Sequence, residues 1–182
     1  MPHRRQPDSR SGLVIETHEL ARSAGTQKHV SRTAEAPEDL GIGVIGVPQG
    51  SPVVLELKLE AVGEGVLVTG TAVVELAGEC TRCLKPISDS LEVDIQELFY
   101  YPGNEPDDEA ARNESERIDL EPVLRDAVVL DLPFAPLCTD DCLGICPTCG
   151  ADLNDDPDHG HDDDVDPRWG DLQQWSATQD QQ

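Results

Sequence analysis

Six cysteines carry the clearest chemistry in this 182-residue chain. Four lie in "PLCTDDCLGICPTCGADLN", as Cys138, Cys142, Cys146 and Cys149, and two lie upstream in "ECTRCLKPI", as Cys80 and Cys83. Cys80/Cys83 and Cys146/Cys149 are CxxC pairs, the spacing with which a tight backbone turn offers two thiolates to one tetrahedral ion. Gly150, directly after the second pair, permits such a turn. Zinc suits the set because it is redox-silent and accepts four sulfurs. The expected ligands of one zinc are Cys80, Cys83, Cys146 and Cys149, with Cys138 and Cys142 as alternates or as half of a second site. His159 and His161 could complete that second site with two nitrogens. Their plainer role is that of solvated side chains in "ADLNDDPDHGHDDDVD", which holds eight Asp between residues 152 and 166.

Two redox alternatives fit poorly. A thioredoxin-type CxxC belongs at a helix N-terminus in a βαβ setting, whereas these pairs fall at a hairpin tip and in a Gly/Pro-containing loop. "CLGICPTC" also has the CxxxCxxC spacing of radical S-adenosylmethionine enzymes, but the 33 residues after it are too few to build their barrel. There is no Walker loop, GxGxxG or GxSxG. All-cysteine metal sites are usually closed to substrate, so nothing in these residues demands an enzyme.

The elements that must position the cysteines read as strands. "PVVLELKLEAV" (52–62) alternates Val53, Leu55, Leu57 and Leu59 with Val54, Glu56, Lys58 and Glu60, the period of a half-buried strand. "GVLVTGTAVVELAG" (65–78) continues after a "GEG" turn, predicting a hairpin. "SLEVDIQELFYY" (90–101) alternates again, and Phe99, Tyr100 and Tyr101 at its end are expected to fill the core rather than stack on bases. Cys80 and Cys83 then occupy the tip between the second and third strands. "PGNEPDDEAARNESER" reads as a mobile acidic loop. A helix is expected over 119–130, with Asp119 as N-cap, Pro122 in its first turn and Pro133 beyond its end. Residues 1–12 and 21–38 are polar and rich in Gly and Pro, predicting a floppy start interrupted by one docked element, "LVIETHEL". Trp169, Leu172 and Trp175 have the spacing of a short docked helix. The fold class expected is a single α+β domain: a mainly antiparallel sheet able to close into a barrel, one packed helix and a cysteine-rich zinc-binding loop.

Charge limits the partners. The formal net charge is −24, and after residue 35 only seven Lys/Arg face 33 acids. Such a body repels phosphate polymers, which disfavours direct RNA binding. No run approaches the roughly twenty apolar residues that cross a bilayer, and "MPHRRQPDSRSG" lacks the apolar stretch of a signal peptide, so a cytoplasmic protein is expected. Thiols stay reduced there, consistent with metal ligation.

These parts together resemble the YceD family, the large ribosomal RNA subunit accumulation proteins, in its actinobacterial form. The resemblance runs over about residues 13–175, leaving 1–12 and 176–182 as disordered tails. Its most specific pieces are Cys80, Arg82, Cys83 and Leu84 of the CxRCL hairpin, and Cys142, Gly144, Cys146, Cys149, Gly150, Leu153 and Asn154 of the CxGxCxxCGxxLN segment. Many relatives have a further CxC where this chain has His159-Gly-His161. The resemblance implies a non-catalytic role in 23S rRNA synthesis, processing or accumulation and in large-subunit assembly. With so acidic a body, the expected route is a zinc-stabilised adaptor that meets rRNA indirectly, through a basic ribosomal protein or assembly factor. The competing class is an rRNA-processing or thiol-redox enzyme centred on the cysteines.

Overall fold

The computed structural model describes residues 12–20 and 24–161. The chain forms two compact units, residues 1–142 and 143–182. In the first, the described residues form eight strands and one helix, in order β1 (Val14–Glu16), β2 (Gln27–Glu35), β3 (Gly41–Ile42), β4 (Ile45–Gly46), β5 (Pro52–Ala61), β6 (Gly65–Glu79), β7 (Pro86–Tyr100), β8 (Arg117–Asp119) and α1 (Glu121–Asp131). All strand pairs are antiparallel.

The alternation seen in the sequence becomes the two faces of the main sheet. Leu55 lies opposite Ala72 and Ala72 opposite Val93; Leu57 lies opposite Gly70 and Gly70 opposite Ile95. These rows, with Val53, Leu59, Val66, Val68, Val74 and Phe99, form the buried face. Gly70 is required by a close approach, because a Cβ there would run into the Glu56 carbonyl oxygen. On the opposite face Glu56, Glu75, Glu92 and Asp94 are exposed.

The sheet stays open. Its order is β2-β5-β6-β4-β3, with β7 on the other edge of β6, and β2 and β7 do not pair. This corrects the expected barrel: four long strands present too few edges to close around a filled interior. β2 also corrects the expected floppy stretch over 21–38. Being an edge strand, it needs only Val30 and Ala34 to face the core, and its other side chains are too polar to advertise a strand.

The "LVIETHEL" element docks as expected: Leu13, Ile15 and Leu20 are buried, and β1 pairs with β8. α1 packs against β7 and β3, burying Leu124 and Val128. The residue at its N-cap is Leu120, one position later than expected, yet Asp119 still serves the first turn by accepting a hydrogen bond from the Glu121 N–H at 3.0 Å. Burial raises the Asp119 pKa, the Glu121 N–H opposes the rise, and the Glu121 charge adds to it. Pro122 lies in the first turn, and the backbone turns extended at Leu132, just before Pro133.

Residues 102–117, expected as a mobile acidic loop, are tied to the sheet, and the last of them, Arg117, opens β8. The Tyr100 N–H donates to the Ala111 carbonyl and the Asn113 N–H to the Tyr100 carbonyl, while buried Asn113 and Thr17 bond to each other. Of the expected tail over 1–12, residues 1–11 lie outside the described residues, as do the helix around Trp169, Leu172 and Trp175 and the tail over 176–182. Among the described residues no helix is long and apolar enough to cross a membrane.

Candidate functional site

β6 and β7 run as one hairpin, paired from Gly65–Tyr100 to Glu79–Pro86, so residues 80–85 form its tip. There the Cys80 N–H donates to the Lys85 carbonyl and the Leu84 N–H to the Cys80 carbonyl, with Leu84 left-handed at φ 61. This turn points both thiols inward from the tip. After α1 the chain comes back to them: the Thr81 N–H donates to the Pro136 carbonyl, and Arg82 donates to the Cys142 carbonyl at 2.7 Å. A turn closed by the Cys142 N–H on the Thr139 carbonyl sets Cys138 and Cys142 side by side.

The result is four sulfurs within 4.8 Å of one another. Cys80 Sγ lies 3.8 Å from Cys142 Sγ, and Cys83 Sγ lies 3.5 Å from Cys138 Sγ. A tetrahedron with Zn–S bonds of about 2.3 Å has S···S edges of about 3.8 Å, so the group has the size of one four-sulfur site. Cys80, Cys83 and Cys142 are buried and Cys138 is exposed; none of the six cysteines forms a disulfide.

The thiols cannot all ionise unaided. Burial disfavours the Cys80 thiolate, but the backbone N–H groups of Cys83, Cys138 and Arg82 outweigh it and bring its pKa down to about 6. At Cys83 the Lys85 N–H favours the thiolate, yet burial and the thiols of Cys138, Cys80 and Cys142 push it up to about 12. Cys138 is helped by the Cys83 thiol but raised overall by burial and by Cys142 and Cys80. One thiolate is favoured and its neighbours resist a second negative charge. A divalent cation resolves that conflict.

The second unit holds a second group: Cys146, Cys149, His159 and His161 bring their ligand atoms within 4.8 Å of one another. Its cysteine turn repeats the hairpin tip. The Gly150 N–H donates to the Cys146 carbonyl and the Cys146 N–H to the Ala151 carbonyl, with Gly150 at φ 76 where the first turn has Leu84. Backbone N–H groups of Cys149 and Thr148 bring Cys146 down to about 6 against its burial, with smaller help from the Cys149 thiol and His161.

The structure therefore groups the cysteines differently from the expected set. Cys80 and Cys83 join Cys138 and Cys142, not Cys146 and Cys149. The physical reason is the short path from α1 to the hairpin tip, clamped by Thr81 and Arg82, while the CPTC turn finds its partners ten residues onward at two histidines. Both four-residue groups could hold a metal ion. Sequence reasoning missed the Arg82 clamp and offered the histidines a solvent role or a place beside Cys138 and Cys142, whereas they lie with Cys146 and Cys149. The signal available was the shared pattern of "CTRCLK" and "CPTCGA", two complete turns that each require two further ligands.

Comparison with known proteins covers both groups. The model of the family described as "Large ribosomal RNA subunit accumulation protein YceD" matches residues 68–175. An uncharacterized protein of Mycobacterium tuberculosis (strain ATCC 25618 / H37Rv) is 41% identical over 167 residues, covering 89% of this chain and 80% of its own. One of Mycobacterium bovis matches to the same extent, and one of Mycobacterium leprae is 35% identical over 89% of this chain and 76% of its own. No solved structure matches.

Proposed function

Because the chain belongs to the YceD family of large ribosomal RNA subunit accumulation proteins, we propose that it supports 23S rRNA accumulation and large-subunit assembly as a cytoplasmic, non-catalytic acidic adaptor. The family match, which spans every cysteine, carries this reading. Zinc at Cys80, Cys83, Cys138 and Cys142 stabilises the adaptor in this proposal. When bound, the ion supplies a redox-silent tie between the hairpin tip and the segment after α1; four sulfurs fill its tetrahedron and leave no position for substrate.

The partner class follows from the charge. The solvent face of the main sheet presents Glu56, Glu75, Glu92 and Asp94, and Lys58 on that face is already paired with Glu60 at 2.9 Å. A phosphate backbone approaching this face meets repulsion that is screened only beyond about 8 Å at physiological salt. A basic ribosomal protein or assembly factor fits it instead, and rRNA is then reached through that protein.

Depletion should lower 23S rRNA relative to 16S rRNA. Affinity capture from lysate should retain a basic ribosomal protein or assembly factor after nuclease treatment. Unchanged 23S levels would defeat the family role; recovery of rRNA without any such protein would defeat the adaptor.

A further inference from the structure

Residues 143–161 contribute nothing to the apolar core. That core ends at Leu132, and beyond Cys142 the described residues that are buried are Gly144 and Cys146. Leu143 is exposed, and Ile145, Ala151 and Leu153 are only partly covered. The backbone nevertheless has a definite form. Ile145 and Asp152 make an antiparallel bridge, the Leu153 N–H donates to the Gly144 carbonyl, and the Leu143 N–H donates to Asn154 Oδ1. These few hydrogen bonds bury too little apolar surface to offset the entropy of ordering the segment. Compact units at or below roughly 40 residues usually need a metal, a disulfide or a partner to stay folded, and this unit runs only from Leu143 to Gln182.

What the segment does have is a convergent set of ligand atoms. Cys146 Sγ lies 3.2 Å from His161 Nε2, Cys149 Sγ lies 3.1 Å from His159 Nε2, and the two Nε2 atoms lie 3.0 Å apart. Both imidazoles thus turn the same nitrogen toward the thiols, with their rings edge to face. A zinc ion with two sulfurs at about 2.3 Å and two nitrogens at about 2.0 Å gives S···N edges of about 3.6 Å, so the cage is a few tenths of an ångström tighter than that and reaches it by small side-chain rotations. The Nδ1 of His159 faces Asp156 Oδ2 at 3.8 Å, placing a carboxylate behind a ligand imidazole as metal sites commonly do. Two thiolates with two imidazoles select a zinc-like ion over calcium or magnesium, which prefer oxygen.

We propose that Cys146, Cys149, His159 and His161 bind a zinc ion of their own, and that this ion is what folds residues 143–161. The first unit, with its 26-residue buried core, keeps its fold whether or not the second ion is present. Cys149 and His161 are exposed where three of the first group's four cysteines are buried, so the second ion leaves first when a chelator competes. Residues 143–161 are thereby ordered or unfolded according to available zinc. This goes beyond the adaptor role and does not depend on it.

The test uses the full chain purified with its metal, with zinc measured by elemental analysis and order followed by amide NMR. The intact protein should carry two zinc ions, and His159→Ala/His161→Ala should carry one. In that variant the signals of 143–161 should collapse to the unfolded range while those of β5, β6 and β7 stay in place. Stepwise chelation of the intact protein should reproduce the same order of loss. Cys83→Ser/Cys138→Ser, which touches only the first group, should leave 143–161 dispersed. One zinc in both intact protein and histidine variant would overturn the proposal, as would 143–161 remaining dispersed once the second zinc is gone.

Discussion

Replacing Cys138 by Ser tests whether the first group acts as a cross-link. Cys83 and Cys138 are 55 positions apart in the chain. An ion bound to both closes a loop of that length in any state that keeps the ion. In the chain-entropy treatment of cross-links a loop of this size contributes about 4 kcal/mol. Serine keeps the volume but replaces a thiolate ligand with a hydroxyl that zinc holds poorly. In urea, a domain of this size has a slope of about 2 kcal/mol per molar, so the midpoint of sheet unfolding should fall by up to about 2 M, the full drop applying when the three thiolates left at Cys80, Cys83 and Cys142 release the ion. The sheet can be followed by far-UV circular dichroism with zinc present. The control is the same pair of proteins in chelator, where both should unfold at the same midpoint because the tie is absent from each. The reasoning fails if Cys138→Ser unfolds where the intact protein does in zinc, or if the gap persists undiminished in chelator.

Three further outcomes are expected. Leu124→Ala removes a fully buried α1 side chain and should cost about 2–5 kcal/mol by denaturant unfolding, whereas Leu130→Ala, 83% exposed on the same helix, should stay within about 0.5 kcal/mol. Leu84→Gly should be neutral or stabilise by up to about 1 kcal/mol, because relief of a left-handed leucine exceeds the added entropy of glycine in the unfolded chain; a clear loss would show that the leucine side chain is itself held. Asp119→Asn should gain stability relative to the intact protein as pH rises. The folded pKa of Asp119 is raised above its unfolded value, so its carboxyl is favourable to the fold below about pH 4 and that advantage is lost on going up through the folded pKa. Parallel plots of melting temperature against pH would refute this.

The parts legible in the sequence were those where one residue pattern had one structural solution. Val53, Leu55, Leu57 and Leu59 could alternate usefully only as a strand, and "GEG" could join it to the next only as a turn. Strand ends were harder. β7 begins at Pro86, four residues earlier than its alternation suggests, because Ile87-Ser88-Asp89-Ser90 is held by pairing with β6 and buries little. β2 was hidden for the same reason. At the candidate site the turns around Cys80 and Cys146 were readable from spacing. Which turn met which partner was not, since that is decided by where α1 delivers the chain and by a single guanidinium on the Cys142 carbonyl.

The β6–β7 hairpin also has a mechanical consequence. β5 pairs with β6 only from Val66 to Val74, and beyond it β6 pairs on that side with β4 at Ala77 and Gly78, while α1 packs on β7. The last five residues of β6, about 17 Å of strand, reach past β5 to the four-thiol group, where the Thr81 and Arg82 hydrogen bonds hold the tip to the segment after α1. A beam fixed at one end bends most easily at its tip, and the stiffness of such a tip depends steeply on whether it is anchored. Those hydrogen bonds, stiffened by any ion the four thiols hold, make the extension a beam held at both ends, so a few atoms at the extremity set the rigidity of the exposed strand surface along its length.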